Sequence, residues 1–342
     1  MATQEREGVN TRTHFLIPSV VASAAALAAT MPTRAAGPYP QVVLSNPVLK
    51  LTVYLPDPEK GYYRGARFDW SGQIAQAEYR GHTYFKEWRT PHDPTNFEHG
   101  IGTAEEFGTP TALGHAEAKP GETFVKIGVG VLEKPEEERY RFSYPYKFVK
   151  TGAWRVRSGP DWVQFRQELA GDRGYAYNYT KRIELSKTAP EFTISRTLRN
   201  TGTRPFETTH YGHNFVLIDD TPVGAAYRLR LPWAATPKEG ARLQGIFKIR
   251  GKELAFTGPV APDKAVYADL NGFGPAESDH QFEIENTRTG AKMTARGDLP
   301  LSQFAFYAAD TAACPEPFVL LKLQPGEVKS WKTTYGLSAP PK

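Results

Sequence analysis

From Phe192 to Leu198 the chain reads FTISRTL, with Phe192, Ile194 and Leu198 on one face and Arg196 the one polar residue among them, and it runs into the turn sequence Asn200, Thr201, Gly202. A period of two with one apolar face specifies a half-buried strand. Further strand candidates are residues 42–55, 124–132, 162–169, 177–185, 282–286, 304–308, 318–323 and 331–337. Glycine and proline fall between these runs, as many short turns require. Long helical periodicity is missing; a single turn of helix is expected near residues 104–107. No fixed-length repeat stands out, which argues against a propeller or solenoid. With no break in composition after residue 40, the expected fold is all-β, one large antiparallel sandwich.

Residues 208–218 read TTHYGHNFVLI, a composition that favours a strand. On a strand His210 and His213 point to opposite faces, whereas on a helix the same spacing would bring them together as a chelating pair. Strand parity therefore leaves one working histidine, and no metal site is expected.

Several classes are excluded by composition and motif. The formal net charge is +5, but the basic residues are scattered, with no aromatic-interleaved stripe of the kind nucleic acid requires. Cys314 is the single cysteine, so neither a disulfide framework nor a cysteine-rich metal cage can form. There is no nucleophile elbow, phosphate-binding loop, dinucleotide fingerprint or zinc-protease motif. Neither a metal nor an organic cofactor is expected. Arg6 and Arg12 precede a small-residue apolar run over residues 15–29, with candidate cleavage sites at residues 26–28 and 33–35. This is the layout of a secretory signal peptide, too short and alanine-rich for a membrane span. The expected organisation is a signal or unstructured segment over residues 1–36 and a single β domain over residues 37–342. The protein is expected to be exported to the periplasm or outside the cell. The oligomeric state is not specified by the sequence.

Three further segments carry candidate chemistry. Residues 62–72, YYRGARFDWSG, combine Arg64 and Arg67 with Trp70 and other aromatics. Guanidinium forks donate in a fixed plane, and aromatic faces suit the C–H face of a sugar. Residues 96–108, NFEHGIGTAEEFG, place His99 in a glycine-marked loop near Glu105 and Glu106. Adjacent carboxylates of this kind are ordinarily a solvated face or the first turn of a helix. Glu316 stands between Pro315 and Pro317, a stiff, extended setting that aims a carboxylate at little entropic cost. Glu327 follows Pro325 and Gly326 and is expected at an exposed type II turn.

Taken together, Arg64 to Arg67 with Gly72 to Ile74, His99 with Glu105 to Gly108, Thr209 to Phe215, and Pro315 to Pro317 before the 325–327 turn resemble the galactose mutarotase-like superfamily, which includes aldose 1-epimerases and glucose-6-phosphate 1-epimerases. The resemblance spans about residues 42–337. It implies a large antiparallel sandwich with an open concave face that binds a monosaccharide or sugar-containing substrate. It also implies His213 as acid toward the ring oxygen and Glu316 as base toward the anomeric hydroxyl, with Arg67 and His99 holding the sugar. Arg64, Trp70 and Glu106 complete the expected substrate-binding set. The chain departs from the pattern where Gly212, His213, Asn214, Phe215 and Val216 replace the family's histidine block, and in the two prolines flanking Glu316. The expected activity is interconversion of sugar anomers. The alternatives are a non-catalytic carbohydrate-binding module and a glycan lyase or hydrolase whose longer groove would be lined by Trp70 and Trp88. A separation of about one sugar ring between His213 and Glu316 is expected for the epimerase.

Overall fold

The computed structural model describes residues 1–2, 38–136 and 139–342. The expected signal segment therefore lies almost wholly outside the described residues. In chain order the strands begin β1 (Gln41–Ser45), β2 (Leu49–Tyr54), β3 (Ile74–Tyr79), β4 (His82–Thr83), β5 (Gly102–Phe107) and β6 (Thr123–Lys126). They continue as β7 (Gly130–Glu133), β8 (Phe148–Thr151), β9 (Ala153–Ser158), β10 (Trp162–Ala170), β11 (Ala176–Leu185) and β12 (Glu191–Asn200). Next come β13 (Phe206–Phe215), β14 (Tyr227–Arg230), β15 (Thr236–Pro237), β16 (Phe247–Arg250), β17 (Glu253–Phe256) and β18 (Val266–Asn271). The last are β19 (Gln281–Asn286), β20 (Ala291–Gly297), β21 (Gln303–Ala309), β22 (Ala312–Leu323) and β23 (Val328–Ser338). Among the described residues the helical elements are two short 3₁₀ turns.

A ten-stranded sheet runs in the order β16-β17-β14-β19-β20-β23-β12-β11-β10-β9, and a six-stranded sheet in the order β15-β18-β21-β22-β13-β5. A four-stranded sheet β1-β2-β3-β4 and a three-stranded sheet β6-β7-β8 flank them. Strand pairings are antiparallel throughout. The two large sheets pack face to face. Phe192, Ile194, Tyr335 and Leu337 of one share a core with Ala268, Phe304 and Phe306 of the other. This is the expected antiparallel sandwich.

Three local expectations need correction. Residues 42–55 and 124–132 are not single strands but the hairpins β1–β2 and β6–β7. Residues 104–107 belong to strand β5, not to a helical turn, and both glutamates there are fully buried. The strand expected to begin at Phe318 begins at Ala312 instead, so Glu316 and its prolines lie inside β22. The 325–327 corner is as expected: Gly326 has φ +82° and Glu327 is exposed.

Proline in a central strand needs an explanation, because it lacks the ladder donor. Ala313 and Val216 exchange backbone hydrogen bonds at 2.9 and 3.1 Å, while the Phe318 carbonyl accepts from the Ser302 N–H on the opposite side. Odd-numbered residues of β22 thus address β13. The two donors that Pro315 and Pro317 lack would have pointed there. The β13–β22 ladder is accordingly interrupted between the Tyr211↔Phe318 pair and the Val216↔Ala313 bridge. Counting inward from either bracket sets His213 opposite Glu316. Asn214 fills part of the gap, donating from Nδ2 to the Pro315 carbonyl at 2.7 Å.

The pleat separates neighbouring residues on β5. Glu105 points between the sheets, where Arg196 of β12 donates to it from Nε at 3.0 Å and also from Nη2. Lys181 of β11 lies 3.2 Å from the same carboxylate. Asp69 joins this buried cluster through Lys181 and Tyr179. Removing one partner of a buried ionic group leaves the others uncompensated. Glu105→Gln should therefore destabilise the protein by about 3–5 kcal/mol, seen by calorimetry as a marked fall in Tm. A Tm within a degree of the parent would show that the cluster does not couple the two sheets.

Candidate active site

The outer face of the six-stranded sheet carries a cavity of about 470 Å³, within the range that encloses small organic ligands. Strand parity assembles its floor: Tyr211 and His213 from β13, Glu316 and Phe318 from β22, Gln303 and Tyr307 from β21, and Tyr267 from β18. Loops add Arg67, Trp88, Glu98, Phe142 and Arg242 to the wall. Flat aromatic faces alternate there with a few polar groups, the composition that recognises a ring bearing hydroxyls.

At the centre, His213 Nε2 lies 3.1 Å from Glu316 Oε1. This replaces the expected ring-width separation with direct contact, because the two residues are cross-strand neighbours on one face. Burial pushes the Glu316 carboxyl up to about 8, against the pull of Arg67 and with help from Glu106 and Asp269. Burial, and then the positive charge of Arg67, push His213 well below its ordinary value. Both shifts favour neutral forms. Around neutral pH both groups are therefore held in their neutral forms, 3.1 Å apart, and the proton of the pair sits on Glu316. Between them the two groups hold one transferable proton. The His213 ring is fixed by stacking on Phe215, with centroids 4.1 Å apart.

Beside this pair stands a charged network. Arg67 donates from Nε to Glu106 Oε2 at 2.9 Å and from Nη2 to the Tyr211 hydroxyl at 2.9 Å. That hydroxyl donates to Glu106 Oε2 at 2.7 Å. Lys126 donates to Glu106 Oε1 at 3.0 Å. Burial alone would raise the Glu106 carboxyl, but Lys126 and Arg67 outweigh it and hold Glu106 below its ordinary value, hence ionised. The loop that presents Arg67 is pinned by the Tyr63 hydroxyl, which accepts from the Arg67 and Phe68 N–H groups, both at 3.2 Å.

The structure brings His213, Glu316, Arg67 and, one layer behind, Glu106 together. It does not bring the others to the cavity wall. Trp70 is buried in a hydrophobic cluster and donates from Nε1 to the Gly65 carbonyl at 2.8 Å. Arg64 turns toward the Pro58 carbonyl, 3.5 Å away. His99 accepts from the Asp93 N–H at 2.9 Å and lies beside His92, while its neighbour Glu98 lines the cavity. In a loop, adjacent residues need not share a direction, so sequence proximity to the site is no guide there. Trp88, by contrast, is in the wall. His210 is on the opposite face, as strand parity requires. It accepts from Trp331 Nε1 at 3.2 Å and lies 3.3 Å from Glu105. Burial lowers it to about 4 despite that carboxylate, so it is neutral.

Sequence reasoning passed over Tyr211, although its position two residues before His213 signals the same face. Tyr267, Gln303, Tyr307, Phe142 and Arg242 carried no local signal; only the sheet order brings them in. Among the described residues no cluster of His, Cys, Asp or Glu suits a metal ion, and no helix is long and apolar enough to cross a membrane.

No protein-family model and no curated protein matches the chain. Solved structures do. The Slr1438 protein from Synechocystis sp. PCC 6803 superposes with TM-score 0.54 at 12% identity, covering 88% of this chain and 96% of that one. A GalM/aldose epimerase homologue from C. elegans gives TM-score 0.54 at 12% identity, with 87% and 98% covered. A putative aldose 1-epimerase from Escherichia coli K12 gives TM-score 0.51 at 15% identity, with 88% and 99% covered. The fold is the galactose mutarotase-like β-sandwich.

The raised Glu316 carboxyl has a consequence for stability. Its folded pKa, about 8, exceeds its unfolded value, so the unfolded state loses this proton first as pH rises. Stability is lost from about pH 4.5 up to about pH 8. The depressed His213 works in the opposite sense below its ordinary value and is present in both proteins compared. Relative to Glu316→Gln, the parent should lose Tm steadily between pH 5 and pH 8. Parallel Tm curves for the two proteins would mean that Glu316 is not held protonated.

Proposed function

We propose that the protein is an aldose 1-epimerase-type isomerase that interconverts sugar anomers by acid–base ring opening. The observation that carries this reading is the buried 3.1 Å contact between His213 and Glu316. The ring oxygen and the anomeric hydroxyl are bonded to the same carbon, so two adjoining groups can serve both without the ring-width separation expected from the sequence. A pair sharing one proton can take the proton of the C1 hydroxyl with one member while the other delivers a proton to the ring oxygen. After transfer within the pair, His213 is the acid and Glu316 the base, the assignment that the sequence resemblance implies. The C1–O5 bond breaks, C1 becomes an aldehyde, rotation about C1–C2 exposes the other face, and the reverse transfers close the ring. The pair ends with the one proton it began with. Arg67 and the aromatic walls bind the hydroxyls and C–H faces of the sugar.

Each proton transfer of this kind contributes about 10²–10⁴-fold. Polarimetry on freshly dissolved aldoses should show faster decay of optical rotation with the protein than without. His213→Asn and Glu316→Gln should each remove at least about 100-fold of that acceleration. Activity should fall above about pH 8, where the pair loses its shared proton, and again in acid, where His213 gains a second. Full activity in both variants would sink the assignment, and sugar binding without any acceleration would identify a binding module instead.

Export belongs to the same reading and is supported by the sequence of residues 6–35. Protein recovered from an export-competent bacterial host should begin between about residues 29 and 38. An intact Met1 on protein in the exported fraction would refute cleavage.

A further inference from the structure

Lys126, on β6, is 1% exposed and lies behind the cavity wall, not in it. Its ammonium donates to Glu106 Oε1 at 3.0 Å, to the Tyr140 hydroxyl at 2.6 Å and to the Gly108 carbonyl at 3.5 Å. An ammonium this deeply buried is costly unless its charge is matched; Glu106 offsets part of that cost, and burial still holds Lys126 below its ordinary value. That carboxylate is divided. Oε1 serves Lys126, and Oε2 serves Arg67 Nε and the Tyr211 hydroxyl. With Lys126 on Oε1, Arg67 bonds Oε2 alone and makes no two-oxygen fork on Glu106. Its Nη2 goes to Tyr211 instead, and Nη1 is left as the arm not committed to this network, on a residue that lines the cavity.

We propose that Lys126 is a positioning residue: by occupying one oxygen of Glu106 it sets where Arg67 stands, and it keeps the charge behind the His213–Glu316 pair net positive. Arg67, Glu106 and Lys126 carry +1, −1 and +1. Without Lys126 the cluster becomes neutral, and a buried oxygen of Glu106 is freed to draw Arg67 out of the cavity wall. The effect on sugar rests on the reading of the site given above; the effect on Glu316 does not.

The experiment follows Glu316 directly, by ¹³C NMR titration of carboxyl-labelled protein with Glu316→Gln assigning the resonance. In Lys126→Gln the Glu316 midpoint should move up by about half a unit to one unit, because Glu106, which already raises Glu316, is left without its second cation. In Lys126→Gln/Glu106→Gln the cluster returns to +1 and the midpoint should return toward the parent value. The other titratable or charged groups facing the cluster and the pair are Tyr63, Tyr140, Tyr146, Tyr211, Tyr267, Tyr307, Cys314, Glu98, Asp269 and Arg242; none is altered in these variants. On sugar, Lys126→Gln should raise KM several-fold more than it lowers kcat, and the alkaline limb of the rate profile should move with the NMR midpoint.

A folded Lys126→Gln protein with an unchanged midpoint and unchanged KM overturns the proposal. Should that variant not fold, Glu106→Gln makes the same count from the other side: the cluster rises to +2 and the midpoint must fall, and a midpoint that stays put is again fatal. If the parent protein proves inactive on every aldose, the functional reading fails while the titration still decides the role of Lys126.

Discussion

The arrangement of the site depends on an interrupted ladder. Pro315 and Pro317 remove the two N–H groups through which β22 would have bonded β13, yet the register is held on both sides of the gap. A strand pair needs to keep its register, not every hydrogen bond, to set opposite residues face to face. The interruption thus lies where His213 and Glu316 meet. The Asn214 amide satisfies a carbonyl that the ladder leaves over, and the Tyr335 hydroxyl donates to its Oδ1 at 2.9 Å, tying the gap to the opposite sheet. The other flank of β13 is intact, with Tyr211 opposite Glu106 and His213 opposite Ala104 on β5. The placement of His213 and of Glu316 follows from one strand having a complete neighbour on one side and a punctuated one on the other.

Strand pleating then divides the charge. Glu105 and Glu106 are adjacent, but one belongs to the interior between the sheets and the other to the cavity side. Each is fully buried and each is held ionised by two basic partners, Arg196 and Lys181 for the first and Arg67 and Lys126 for the second. Buried carboxylates persist in this form only with such compensation. Glu316 has no comparable pair of donors. Arg67 alone opposes its burial, and the result is a carboxyl raised to about 8, next to a histidine that is driven toward its neutral form. Three buried glutamates therefore take two different protonation states, and the difference lies in the number of cations within reach.

Much of this architecture is legible in the sequence. The two-residue period of residues 192–198 and 331–337 gives strands at those positions, and strand parity separates His210 from His213. Pro325 and Gly326 mark their corner. The failures have particular physical causes. The Glu105–Glu106 pair reads as a solvated or helical segment because local propensity cannot register partners on β11, β12 and β6. Residues 42–55 read as one strand because Asn46, Pro47 and Val48 make a turn within otherwise strand-like residues. Trp70 reads as a sugar platform because an aromatic beside arginines looks alike whether it faces a ligand or a core; its bond to the Gly65 carbonyl and its packing decide for the core.

What the sequence by itself determined is the class of fold and the strand that carries the histidines, since periodicity is a local property; the resemblance of its motifs singled out His213, Glu316 and Arg67 as the residues to watch. Only the tertiary structure decided that His213 and Glu316 touch, that Arg64, Trp70 and His99 lie away from the cavity wall while Tyr211, Tyr267 and Tyr307 form it, and that Lys126 stands behind Glu106. Those are matters of sheet order and register, which depend on pairings between strands more than a hundred residues apart.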